Sequence, residues 1–257
     1  MKLRDKVIAV TGAAGGIGRG IVSALLDEGA SVCLTDLDNE RLSTAANELD
    51  PGRERTLCTV ADLSREADIE AMVQATIEHF GTIDGLVNNA GAIVMDAAWD
   101  ATVADWSKQL DVNVTASFAA ARAVGRHLKQ HGGGSIVNVA SNCGKVGYDN
   151  MAAYNASKAA VISLTRSLSR EWADADINVN AVCPGGVDTP MLAAVANWLE
   201  PRIGVGAAEL LDGMGPLQLG RKIAPVEVGR VVAFLLGPDA AIIRGQSISV
   251  DGGDVPY

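Results

Sequence analysis

Apolar residues recur along this chain in two alternating rhythms, short β-branched runs and longer stretches with helical spacing, and that alternation is its strongest structural signal. Residues 6–11 form a short apolar run, followed by a glycine-rich turn and an amphipathic stretch over 17–28. The strand pattern returns at 31–35 and 56–60, with a helical pattern at 40–49 between them. Strands separated by helical crossovers pair in parallel, because each crossover carries the chain back to the same end of the sheet. Further helices are predicted over 69–80, 103–129, 154–172 and 225–236, and further strands over 85–88, 135–140, 177–182 and 247–250. The whole predicts an α/β protein, a doubly wound parallel sheet of about seven strands flanked by helices.

No proline-rich linker, charge block or internal repeat interrupts the alternation, so residues 1–257 are expected to form a single domain. The exception to its regularity is 185–224, a long connection with Pro201 and several glycines that carries only short helical patterns. Long connections in compact domains are commonly lids or binding loops. This one follows the carboxyl end of a strand, where open α/β sheets bind ligands.

Composition narrows the function. Hydrophobic residues at 48% and charged residues at 20% belong to a globular chain. A formal net charge of −10 repels nucleic-acid backbones and anionic lipid surfaces, so a small-molecule partner is expected. The run 7–10 is too short for a signal segment, and no stretch approaches the roughly 18 apolar residues of a membrane span, so a cytoplasmic location is expected. Cys33, Cys58, Cys143 and Cys183 are scattered without a CxxC pair and read as apolar fillers, Cys143 being the one candidate reactive thiol. His127 and His131 have metal-ligand spacing, but Gly132 to Gly134 follow at once, which favours helix-end histidines; no metal site is expected.

Residues 11–18 read TGAAGGIG, with Gly12, Gly16 and Gly18 directly after a strand and before a helix. Glycines let backbone amides approach a pyrophosphate, and the helix amino terminus adds unpaired N–H groups and a positive dipole. The glycines alone would also suit a plain connecting turn. Asp36, ending the second strand 18 positions after Gly18, adds an acceptor for adenosine ribose hydroxyls and repels a 2′-phosphate. NAD is therefore expected over NADP, with Arg41, a helical turn away, as the reservation. A strand-end turn is the lesser alternative role for Asp36.

Tyr154 and Lys158 stand four apart on a predicted helix, hence on one face. Oxidising a carbinol by hydride removal requires a base for the hydroxyl proton. A free tyrosine titrates near ~10, and a nearby ammonium would favour its phenolate. Spacing alone does not distinguish this pair from an ordinary surface pair.

The set TGAAGGIG, Asp62, Asn88-Asn89-Ala90-Gly91, Asn113, Ser141, Tyr154-Asn155-Ala156-Ser157-Lys158 and Pro184-Gly185 resembles, in order and spacing, the classical short-chain dehydrogenase/reductase family over nearly the whole chain. The resemblance implies a Rossmann fold and a nicotinamide-dependent alcohol dehydrogenase or ketone reductase. It implies catalytic roles for Ser141, Tyr154, Lys158 and Asn113. Ser141 would bond the substrate oxygen, Lys158 the nicotinamide ribose, and Asn113 a water leading to solvent. It also implies cofactor contacts from Gly12, Gly16, Ile17, Gly18, Asp36, Asp62, Leu63, Asn89, Tyr154, Lys158, Val187 and Thr189. A departure stands at Asn178, where the family commonly carries arginine. A homotetramer is implied, with Ala116, Ala119, Ala120 and Ala123 permitting close approach of subunits.

Met191, Leu192 and Trp198 offer apolar cover to a substrate, while Asn142, Lys145, Asp149 and Asn150 offer hydrogen bonds. Residues 92–99 are expected to join them. The expected substrate is a polyol, a sugar-like alcohol or an alicyclic diol. The alternatives are an NADPH-dependent reductase of 3-oxoacyl thioesters and a non-catalytic NAD sensor.

Overall fold

The computed structural model describes residues 1–257. Its strands are β1 (Val7–Thr11), β2 (Ser31–Asp36), β3 (Thr56–Val60), β4 (Gly85–Asn88), β5 (Gly134–Val139), β6 (Ile177–Pro184) and β7 (Ser247–Val250). All pair in parallel in the order β3-β2-β1-β4-β5-β6-β7. The order reverses between β1 and β4, and that switch point opens a crevice at the strands' carboxyl ends.

The helices are α1 (Gly16–Asp27), α2 (Asn39–Leu49), α3 (Glu66–Phe80), α4 (Val103–Leu110), α5 (Ala116–Gln130), α6 (Ala152–Glu171), α7 (Pro190–Ile203), α8 (Ala207–Gly213) and α9 (Pro225–Leu236). They cover both faces of the sheet, so successive strand residues are buried on opposite sides. Ile8, Val10, Val32 and Leu34 pack with α1, α2 and α9. Ala9, Cys33, Leu86 and Ile136 pack with α3, α5 and α6. Burial on both faces is why these strands read as continuous apolar runs.

Two departures from the sequence reading matter. The expected single helix over 103–129 is broken by a π-helical turn at Asp111–Thr115, in which the Ala116 N–H reaches back to the Asp111 carbonyl. Such turns insert one extra residue and occur mostly at functional sites. Residues 185–224, expected to hold only short helical patterns, contain the 14-residue α7. Thr189 caps it through Leu192 N, and Pro190 stands in its first turn, where a missing N–H costs nothing.

Helices α1 and α9 cross backbone to backbone. A β-carbon on Gly20 would lie 2.2 Å from the Pro225 carbonyl carbon, and one on Gly229 would lie 2.3 Å from Gly20 O. Gly20→Ala is therefore expected to destabilise the fold by about 2 kcal/mol through overpacking. Urea unfolding checks this: the midpoint should fall with an unchanged slope.

Candidate active site

A cleft of about 1260 Å³ opens over the carboxyl ends of the strands, and twelve of the fourteen residues singled out in the sequence line it: Gly12, Gly16, Ile17, Asp36, Asp62, Leu63, Asn89, Ser141, Tyr154, Lys158, Val187 and Thr189. Gly18 and Asn113 stand behind its wall. A β-carbon on Gly18 would meet Gly12 O at 2.0 Å, so glycine there lets α1 close onto the turn.

The dinucleotide half begins at the turn after β1. Gly12 and Gly16 have φ of +62° and +52°, a region that favours glycine. Helix α1 has no side-chain cap, leaving its first N–H groups open to a ligand. Asn89 ties the turn to β4 by donating to Thr11 O at 3.0 Å and Gly12 O at 2.9 Å. Asp36 accepts from Ala14 N at 3.1 Å and Leu37 N at 2.8 Å, which aims its carboxylate along the turn. Asp62 accepts from the backbone and hydroxyl of Ser64, and these bonds hold its carboxyl below the usual range. The Thr189 methyl faces Gly16 across the cleft.

At the other end, Ser141 caps a 3-10 turn, Asn142–Gly144, and its hydroxyl accepts from Cys143 N at 3.1 Å and donates to Asn142 Oδ1 at 3.2 Å. Lys158 is 4% exposed, and its ammonium donates to Val139 O at 2.9 Å. Two of its three hydrogens have no protein acceptor. Burial pushes its pKa down to about 8, with Cys143 and Cys183 acting in the opposite direction. Its Nζ sits 5.6 Å from the centre of the Tyr154 ring.

Within the chain's own groups, Tyr154 is not drawn down as the sequence suggested. Burial raises its pKa, Cys143 adds to the rise, and only a hydrogen bond with Ser141 opposes it. The physical reason is burial of the phenol, which penalises the charged phenolate and outweighs the opposing Ser141 hydroxyl.

Asn113 sits in the π turn, where its side chain donates to Ala92 O and Ser157 Oγ, each at 2.9 Å, and accepts from Ala92 N at 2.8 Å. It thereby fixes the wall at Ala92 and the residue before Lys158. Sequence reasoning missed the adjoining buried ladder. Asn88 donates to Ser117 O and to Asn138 Oδ1, and Asn138 donates to Thr165 Oγ1. This ladder ties the sheet to the helices.

Three expectations about orientation are corrected. Lys145 does not line the cleft; its ammonium bonds Ser249 Oγ at 2.8 Å. Trp198 lies outside it with the Arg202 guanidinium stacked at 3.6 Å, while Leu192, Val195, Leu199 and Ile203 form the inner stripe of α7. Trp99 is 94% exposed, though Ala92, Ile93 and Met95 do line the wall. Burial raises the Cys143 thiol pKa, contrary to a reactive thiolate. His127 and His131 stack at 3.9 Å, and His127 Nε2 accepts from Ile83 N, which leaves that nitrogen no role as a ligand. No cluster of three or more His, Cys, Asp or Glu side chains is arranged to hold a metal ion.

The short chain dehydrogenase family profile matches residues 6–200. A 2-(S)-hydroxypropyl-CoM dehydrogenase of Xanthobacter autotrophicus is 36% identical, over 98% of this chain and 97% of its own. A levodione reductase of Leifsonia aquatica is 36% identical, over 98% and 95%. Among solved structures, an actinorhodin polyketide ketoreductase variant with NADPH superposes with a TM-score of 0.93 at 36% identity, covering 98% of both chains. The chain belongs to the short chain dehydrogenase family. It is a nicotinamide-dependent oxidoreductase acting between secondary alcohols and ketones. The cleft fits that cofactor: an uncapped helix start, a glycine cradle that β-carbons would fill, and a buried ammonium with hydrogens to spare.

Proposed function

We propose that the protein is an NAD-dependent dehydrogenase of secondary alcohols that carry further hydroxyl groups, such as polyols, sugar-like alcohols or alicyclic diols. The observation that carries this reading is Lys158, a buried ammonium satisfied only in part, held beside Tyr154 in the same cleft as Ser141 and Asp36. Ser141, its oxygen held by Cys143 N, turns its single hydroxyl hydrogen from Asn142 Oδ1 to the substrate oxygen. Tyr154 Oη takes the carbinol proton during oxidation and returns it during reduction. Lys158 holds the nicotinamide ribose with its two remaining hydrogens, and Asn113, through its brace on Ser157, fixes the helix turn that carries it. When bound, the cofactor supplies the hydride acceptor and, in its oxidised form, a positive charge that opposes the effect of burial on Tyr154.

Cofactor contacts are assigned to the glycine turn with Ile17, to Asp62, Leu63 and Asn89 near the adenosine, and to Val187 and Thr189 near the nicotinamide and pyrophosphate. Residues 185–224 serve as the lid, α7 offering its apolar stripe to the substrate. Asp36 selects NAD by accepting from the ribose hydroxyls. Asp36→Ala is expected to reduce the NAD over NADP preference in kcat/KM by roughly a hundredfold, since charge-assisted hydrogen bonds are lost. Initial rates with both cofactors check this, and an unchanged ratio would remove Asp36 from the site.

A second reading, reduction with NADPH, is favoured by Arg41, whose Nη2 would stand 2.5 Å from a β-carbon on Gly15 and so reaches the rim of the adenosine end. A preference for NADP in the unmodified enzyme would select it.

A cytoplasmic homotetramer belongs to the same proposal, with a corrected surface. Ala116, Ala120 and Ala123 are buried within the protomer and do not face another subunit, while Ala119 is only partly buried. The exposed large apolar residues on α4 and α5 are Val103, Trp106 and Phe118.

A further inference from the structure

The segment after β7 returns to the cleft beside the Ser141 turn, and Asp254 is its lining residue. Asp251, 3% exposed, fixes this return by accepting from Gly253 N and Val255 N, and the Val255 side chain is buried beneath it. Gln218 adds a bond to Gly253 O at 2.8 Å. The tail is thus a defined wall of the site.

Asp254 Oδ2 accepts from Asn142 Nδ2 at 2.9 Å and from Tyr148 Oη at 3.1 Å. Asn142 Nδ2 also lies 3.1 Å from Tyr148 Oη, closing a triangle, and Asn142 Oδ1 receives the Ser141 hydroxyl. Burial and then Asp254 raise the Tyr148 pKa, keeping that phenol a donor. Asp254 Oδ1 takes no hydrogen bond, and no lysine, arginine or histidine pairs with this carboxylate. A carboxylate oriented by two donors, with an oxygen to spare at the rim of the cleft, is complemented in a neutral alcohol substrate by a further hydroxyl hydrogen. Its charge disfavours substrates with phosphate or carboxylate groups near the reacting carbon.

We propose that Asp254, oriented by Asn142 and Tyr148, is a specificity residue that accepts a hydrogen bond from a second hydroxyl of the substrate. The assignment rests on the dehydrogenase reading above and narrows its substrate to neutral polyhydroxylated alcohols.

Glycerol and isopropanol test it, since they share a three-carbon skeleton with a secondary carbinol and differ in the flanking hydroxyls. Asp254→Ala should lower kcat/KM for glycerol roughly tenfold more than for isopropanol, through KM, the size expected for one charge-assisted hydrogen bond. Tyr148→Phe keeps the carboxylate and loses one of its orienting donors, so it should shift the ratio in the same direction by less. An equal fall on both alcohols, or no change on either, overturns the subsite and leaves the dehydrogenase reading standing. If the unmodified enzyme oxidises isopropanol but not glycerol, the subsite falls and the dehydrogenase reading stands; if it oxidises neither, the same variants on cyclohexane-1,2-diol against cyclohexanol decide the subsite by the same ratio.

Discussion

Tyr154→Phe should lower kcat for alcohol oxidation by about 10²–10⁴-fold, the range general-base catalysis supplies, with little change in KM or thermal stability. The phenol oxygen is the only atom removed, and Ser141 is the only polar neighbour to act on it, so the fold loses little. The pH dependence should change with it. Burial raises the Tyr154 pKa, so the phenolate is scarce at neutral pH and its fraction grows as pH rises. Oxidation by the unmodified enzyme should therefore accelerate with pH, while ketone reduction, which needs the protonated phenol, should not. Phenylalanine should flatten the oxidation profile. A variant that keeps both the rate and the slope would place the base elsewhere.

Lys158→Met should remove activity, by more than about a hundredfold, and yet stabilise the protein. The folded chain holds this ammonium in a buried place where its pKa is about 8 against an ordinary 10.5. A depressed lysine pKa means the charged form is penalised by folding. The penalty is fully present below pH 8, where the group is charged in both states. It is relieved as pH rises from about 8 toward 10.5, because the folded state releases its proton first. A shift of this size corresponds to roughly 3 kcal/mol, and losing the bond to Val139 O offsets part of it, so the net gain should be about 1–3 kcal/mol at neutral pH. Urea denaturation across pH 6 to about 10 measures it. The advantage of the variant should shrink above pH 8. Destabilisation at every pH would show that the lysine holds the fold together and is not retained for chemistry at a cost in stability.

The fold was legible because the central strands β1, β2, β4, β5 and β6 are buried on both faces, so each reads as an apolar run bounded by helical periodicity. The chemical residues were legible because glycine, aspartate, tyrosine and lysine at these spacings combine backbone permissiveness, charge and helical geometry. The π turn at Asp111–Thr115 was not, since one inserted residue leaves an apolar stripe that still reads as a single helix. Pro201 obscured α7, although the helix absorbs it in its last turn. The helical pattern of α5 identified its alanines as small but not which way they point, and their burial follows from packing against α3 and the sheet. Gly20 and Gly229 gave no local signal because the clash they avoid lies between helices far apart in sequence. Asp254 was missed for the same reason. Its partners Asn142 and Tyr148 precede it by 112 and 106 positions, and nothing in a turn-like tail announces that it folds back.

The most direct test of the central claim is the near-ultraviolet absorbance of reduced nicotinamide while the purified enzyme is offered NAD or NADP with a panel of polyols, alicyclic diols and simple secondary alcohols. The account predicts formation of reduced cofactor that is faster with NAD than with NADP, favours the polyhydroxylated members and vanishes in Tyr154→Phe. Tight binding of reduced nicotinamide with no turnover of any alcohol, or of the matching ketones in reverse, would contradict it and leave a cofactor sensor in place of an enzyme.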